Sequence, residues 1–261
     1  MNKIKNMKKI NILIFVFVFT TIASAQQFPL QSQYQFNYSV INPAVTGENN
    51  FYRVRASFRE QWRGFIQDNT ISTQVLTVTK GFDENGLGFT VFSDQTGGAF
   101  NKSGASISFS HKVKFEESDL YFGVSAGLSK INLGLIDDPA ILLTEGTIPE
   151  FNFGVYYTVN NINLGFSIPG LLNSDMKLTG SLENTIDRHY YTMISYKKQL
   201  NDDWSMYPSM LIKNTDNHQQ VDANINFKLR NKLWFGTSYR QILAQLYMLV
   251  LILEIIISIF S

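Results

Sequence analysis

The chain has 261 residues, and its 22 Lys and Arg against 21 Asp and Glu leave a net charge of +1, so the basic footprint of a nucleic-acid-binding protein is missing. The absence of cysteine excludes disulfides, thiolate metal sites and a lipid anchor on an N-terminal cysteine. An apolar share of 44% is ordinary for a soluble protein, so class has to be read from pattern. The 14% aromatic content suits a chain made mostly of strands.

The N-terminus reads as an export signal. Lys3, Lys5, Lys8 and Lys9 precede an apolar core from Ile10 to Ile22, and Ala23-Ser24-Ala25 is a small-residue cleavage site. Residues 1–25 are therefore expected to be a Sec signal peptide cut between Ala25 and Gln26. The other reading, a spanning helix, needs about 20 apolar residues, and this core is shorter. Residues 26–50 then form a polar, aromatic lead-in that lies in a lumen or reaches the periplasm. Within it Pro43 fixes φ and ends any ladder, while Gly47 permits a turn at positive φ.

From Phe51 the residues sort by parity. Odd positions carry Arg53, Arg55, Ser57, Arg59, Gln61 and Arg63, and even positions carry Tyr52, Val54, Ala56, Phe58 and Trp62. That is a strand with one wet and one apolar face, broken only by Glu60 near its end. The same alternation recurs down the chain. Ile107, Phe109 and Val113 oppose Ser106, Ser108, Ser110 and Lys112, and Phe122, Val124 and Leu128 oppose Tyr121, Gly123, Ser125 and Ser129. Val221, Ile225 and Phe227 oppose Asp222, Asn224 and Asn226, and Leu233, Phe235 and Tyr239 open a last strand. Two runs, Thr70 to Lys80 and Arg188 to Lys198, mix both kinds of residue. Eleven strand candidates result, with Asn85-Gly86 and Asn160-Asn161 as the expected hairpin turns. Ile131 to Pro149 and Pro169 to Asp187 are long for hairpins and are expected to be extracellular loops or short plugs.

A soluble β-sandwich also alternates. What separates the architectures is the polar face, here full of Gly, Ser, Asn, Thr and Arg, behind an export signal. The expected fold is all-β, an antiparallel transmembrane β-barrel of the outer membrane spanning residues 51–240, with the polar face inward. The Gly and Ser positions leave room for the lead-in inside. Residues 241–261 break the pattern, being apolar on every side except Gln241, Gln245 and Glu254. This aberrant tail is expected to lie outside the barrel and to leave it incomplete. A reading-frame shift or truncation near Arg240 explains it better than a genuine helix, because bacterial single-chain barrels have even strand numbers.

Site chemistry is sparse. His111, His189 and His218 lack metal-site spacing and are expected to be surface or loop residues. Ser110-His111 and Asp216 with His218 are cheap coincidences on serine-rich faces, and Asp137-Asp138 alone makes a weak calcium site. No cofactor, metal or catalytic residue is expected, and an outer-membrane hydrolase is the least supported class. Arg53, Arg55, Arg59 and Arg63 are the candidate binding residues, lining a lumen as an anion path or docking surface, or else sitting in an internal salt-bridge network.

Three segments carry a family resemblance. Gln31-Ser32-Gln33-Tyr34-Gln35-Phe36-Asn37, then Asn42-Pro43-Ala44 with Gly47, then Gln61-Trp62-Arg63-Gly64-Phe65 resemble the PorP/SprF family, as does Ser93-Asp94-Gln95-Thr96-Gly97 with its Asp94 and Gly97. The chain departs from the family pattern at Val45, Thr46 and Glu60. The resemblance implies an outer-membrane protein of the type IX secretion and gliding-motility system of Bacteroidota. It also implies partners among other secretion subunits and a large secreted adhesin or effector. A different class, a porin for a small solute with an Arg-lined lumen, is the alternative.

Overall fold

The computed structural model describes residues 34–61, 71–97, 100–133, 144–172, 175–177, 183–185, 188–215, 219–230, 232–241 and 248–253. The chain begins with three 3₁₀ turns, Tyr34–Phe36, Tyr38–Val40 and Pro43–Gly47. Strands follow: β1 (Tyr52–Gln61), β2 (Ile71–Phe82), β3 (Asn85–Thr96), β4 (Phe100–Lys114), β5 (Ser118–Leu133), β6 (Thr144–Val159) and β7 (Ile162–Ile168). A small hairpin, β8 (Asp175–Lys177) with β9 (Glu183–Thr185), stands apart. The sheet resumes with β10 (Tyr190–Tyr196), β11 (Lys198–Gln199), β12 (Trp204–Asn214), β13 (Gln219–Leu229), β14 (Leu233–Gln241) and β15 (Met248–Leu253). Every pairing is antiparallel between neighbours in the order β1-β2-β3-β4-β5-β6-β7-β10-β12-β13-β14-β15.

Parity assigns the faces as the sequence reading expects. On β1, Tyr52, Val54 and Phe58 are exposed while Arg53, Arg55 and Arg59 are partly covered. Outward on β4 and β5 stand Ile107, Phe109, Phe122, Val124 and Leu128; inward stand Ser108, Ser110, Tyr121, Ser125 and Ser129. An exposed apolar belt that runs from strand to strand is costly in water and satisfied in hydrocarbon. The mixed runs resolve as β2 and β10, whose inner faces hold Thr73, Val75, Thr77 and Thr79, and Tyr191 and Met193. Most connections at one end of the sheet are short, as at residues 83–84, 115–117 and 160–161, while the other end includes the long ones between β5 and β6 and between β7 and β10. This asymmetry is that of outer-membrane barrels.

The sheet curls around the N-terminal turns. These contact β2 through Asn37 and Thr77, β4 through Thr46 and Ser108, β7 through Ile41 and Ser167, and β13 through Tyr34 and Asn224. Among the described residues β1 and β15 share no ladder, so the sheet is not closed by strand pairing.

Several expectations need correction. Asn85 and Gly86 are the first residues of β3; the turn is Asp83-Glu84, closed by the Phe82–Asn85 pair, with Asp83 at φ 54°. Asn160-Asn161 is a turn, with Asn160 at φ 51°. The loop expected from Ile131 to Pro149 is shorter, because β5 and β6 stay paired up to Leu133 and Thr144 and bury Ile131 and Ile148 inside. The loop from Pro169 to Asp187 carries the β8–β9 hairpin. Most of all, part of the tail joins the sheet. Met248–Leu253 pairs with β14 from Ser238 to Leu233 and makes the sheet path twelve strands long. Its run of Leu, Val and Ile suits a strand, and the open ladder of β14 supplies backbone partners that a lone apolar segment lacks. The signal sequence with Ala23, Ala25 and Gln26, and His218 and Asp137-Asp138, lie outside the described residues.

The lipid assignment makes a prediction. Ile107→Arg at the middle of β4 should cost about 2–4 kcal/mol of folding stability in lipid vesicles, measured by urea titration; an unchanged midpoint would remove lipid from that face.

Candidate functional site

The most organised feature is the docking of Asn42–Gly47 against the lumen wall. Asn42 precedes Pro43 as the cap of its 3₁₀ turn, its Oδ1 accepting from the Ala44 amide at 3.0 Å. Its Nδ2 donates to the carbonyls of Val155 on β6 at 3.0 Å and Phe166 on β7 at 3.3 Å. One amide side chain therefore ties the turn to two strands, using two N–H donations and a separate acceptor oxygen, a combination that a hydroxyl or carboxylate lacks. Ser167 adds a bond from its hydroxyl to the Ile41 carbonyl at 2.6 Å. The Gly81 amide donates to the Asn49 carbonyl at 2.8 Å and fixes the exit into β1.

The wall accepts this backbone because it lacks side chains there. A Cβ at Gly123 on β5 would collide with the main chain of Pro43 and Ala44, and one at Gly154 on β6 with the Asn42 amide. A Cβ at Gly86 on β3 would strike Gly47 itself. Gly47 is thus small because two backbones meet, and positive φ is found instead at Gly97, at 59°, and Gly170. Around this trough the apolar core of the described residues lies inside the sheet. Tyr34, Ile41, Ala44 and Val45 of the plug pack with Tyr121, Tyr156, Tyr191, Met193 and Leu211 of the wall. Ala44 and Leu211 are fully buried.

The first half of the plug is held by side chains. Asn224 Nδ2 donates to the Tyr34 hydroxyl at 2.6 Å, Asn37 Nδ2 donates to Thr77 Oγ1 at 3.1 Å, and Phe36 meets Trp234 edge-on at 5.6 Å. Burial, reinforced by the Asp222 carboxylate, pushes the Tyr34 phenol up; burial does the same to Tyr38 against hydrogen bonds from Ser209 and Ser195. Both phenols therefore stay neutral in the folded chain.

Inward charges are organised by pairs. Asp222 on β13, almost fully buried, accepts from Arg240 Nε on β14 at 2.8 Å and faces Lys213 Nζ on β12 at 3.6 Å. Lys213 also lies over the rings of Tyr34 and Tyr191. Lys102 on β4 meets Glu150 on β6 at 2.5 Å. Arg53 pairs with Glu48 at 3.7 Å, and Arg59 feels Asp94, which accepts from Thr73 at 2.5 Å. Of the arginine ladder, Arg53, Arg55 and Arg59 share the inner face, and Arg63 lies outside the described residues. The motif residues separate likewise: Asn42, Pro43, Ala44 and Gly47 form the docked turn, Asp94 and Gly97 sit on and after β3, and Gln61 ends β1. Trp62, Gly64 and Phe65 lie outside the described residues. His111 is exposed, whereas His189 is buried in a connection beside Tyr191, a correction to the surface half of its expected placement. Among the described residues no three His, Asp or Glu side chains cluster as metal ligands. The network of Lys213, Asp222 and Arg240 escaped the sequence reading; its only signal was a charge on the inner face of each of three successive strands.

Three outcomes follow for the plug. Asn42→Asp places a carboxylate against two carbonyls and should destabilise the fold by about 3 kcal/mol or more, read by urea titration; Asn42→Ser should cost less. Asp222→Asn strands two buried cations and should cost about 3–5 kcal/mol by the same assay. Because the Tyr34 and Tyr38 phenols are raised when folded, the unfolded chain releases their protons first. Stability should fall as pH rises past the unfolded tyrosine value of about 10, seen as a lower midpoint in alkali that Tyr34→Phe partly restores.

Comparison with curated proteins finds no match. Among solved structures, the translocator domain of autotransporter NalP from Neisseria meningitidis aligns at 15% identity with a TM-score of 0.46, over 80% of this chain and 88% of that one. The family model described as type IX secretion system membrane protein PorP/SprF matches residues 23–261, nearly the whole chain and all of the docked turn. The chain belongs to the PorP/SprF family of type IX secretion system membrane proteins.

Proposed function

We propose that this protein is a non-enzymatic outer-membrane component of type IX secretion that supports export or surface attachment of a large adhesin or effector, and so gliding. The observation that carries this reading over a porin is the occupied lumen. Residues 34–47 cross it, and their core of Tyr34, Ile41, Ala44 and Val45 is buried against the wall. A diffusion pore has to keep such a path open. The arginines that suggested an anion path sit beside acids, Arg53 with Glu48 and Arg59 near Asp94, which favours a structural network. Family membership supports partners among the other secretion subunits. The outward apolar belt supports a lipid surround.

The test is deletion of the gene in its host with restoration by the wild-type copy. Loss of one large protein from the cell surface, and of gliding, is expected, with other outer-membrane proteins unchanged. Normal display and motility, accompanied by slower uptake of a small solute, would establish the porin reading instead.

A further inference from the structure

The two halves of the plug are held in different ways. Asn42–Gly47 is bound through backbone and side-chain contacts in the glycine trough, and moving it would empty a fitted core. Tyr34–Val40 makes only short-range backbone bonds, within itself and to the hinge: Asn37 N donates to Tyr34 O and Val40 N to Asn37 O, while the Ile41 and Asn42 amides donate to Tyr38 O. Among the described residues its hold on the wall is by side chains alone: polar and ring contacts at Asn224, Thr77, Ser209, Ser195 and Trp234, and the Tyr34 ring, which also fills part of the core and gives up that burial when the segment moves. Such a segment can leave the wall without breaking a backbone bond to any strand; only the two bonds to Tyr38 O cross the hinge, and water replaces the partners given up. A second observation points the same way. Among the described residues neither buried amide atom of Gln35 has a hydrogen-bond partner, a cost borne only while the segment is docked.

We propose that Tyr34–Val40 is a hinged flap that swings about Ile41–Asn42 and opens a water-filled, anion-preferring path along β12, β13 and β14. The anchored turn stays in place and keeps the β3–β7 side filled. The uncovered wall is polar, with Ser209, Asn224 and Ser238, and its cations Lys213 and Arg240 outnumber Asp222. The proposal rests on the geometry of the plug and not on the secretion assignment, so either can fail alone.

The experiment is conductance of the full-length protein in planar bilayers, with folding checked by heat-dependent gel migration. Wild type should be mostly closed with rare, anion-selective openings. Asn37→Ala and Asn224→Ala each remove one flap contact and should raise open probability about two- to tenfold. The chain has no cysteine, so Asn37→Cys with Thr77→Cys can be joined by a short bifunctional maleimide, which should abolish the openings. Folded alanine variants as silent as wild type, or equal conductance before and after cross-linking, would overturn the flap. If those variants do not fold, Gln35→Cys decides: labelling by a membrane-impermeant maleimide supports opening, and complete protection in the folded protein contradicts it.

Discussion

The close approach of two backbones organises this molecule. Pro43–Gly47 can lie against β3, β5 and β6 only because Gly86, Gly123 and Gly154 present no side chain there. Once the turn is seated, Asn42 satisfies its own cap and reaches the β6 and β7 carbonyls, and Ser167 holds Ile41. The apolar residues of the turn then complete a core that the sheet lacks by itself. Beyond Tyr121, Tyr156, Tyr191, Met193, Leu211 and a few aliphatic residues, its inner face is serine, threonine, asparagine and paired charge.

The inside-out distribution of the fold follows. Large apolar side chains such as Phe58, Ile107 and Leu128 face outward and are exposed, an arrangement that hydrocarbon satisfies and water does not. Charges face inward, where each needs a partner because water is scarce. Asp222 with Arg240 and Lys213, and Lys102 with Glu150, meet that need between strands. The lumen is therefore a packed interior crossed by the chain's own N-terminal segment.

Much of this was legible in the residues. Parity on β1, β4, β5 and β13 names both faces, because a strand of period two leaves no other way to segregate Phe and Ser. Asn-Pro-Ala marked a sharp structural turn. What escaped was set by register. Asn85-Gly86 and Asp83-Glu84 are both good turn pairs, and only the ladder and the need for Gly86 in the trough choose between them. The Lys213–Asp222–Arg240 network depends on which residues of three strands stand level. Gly47 looked like a conformational glycine and is a steric one. The tail misled for a further reason: alternation was taken as required of every strand, whereas β15 is apolar throughout and is held by its backbone pairing to β14.

The central claim is that Asn42–Gly47 is docked in the lumen of the folded protein. Hydrogen exchange followed by mass spectrometry on the protein in lipid tests it directly, since the Asn42, Ala44 and Val45 amides all have internal acceptors. Docking predicts that the peptide covering residues 41–48 exchanges as slowly as the central strands β4 and β5. Exchange of that peptide at the rate of an unstructured chain, with the strands still protected, would contradict it.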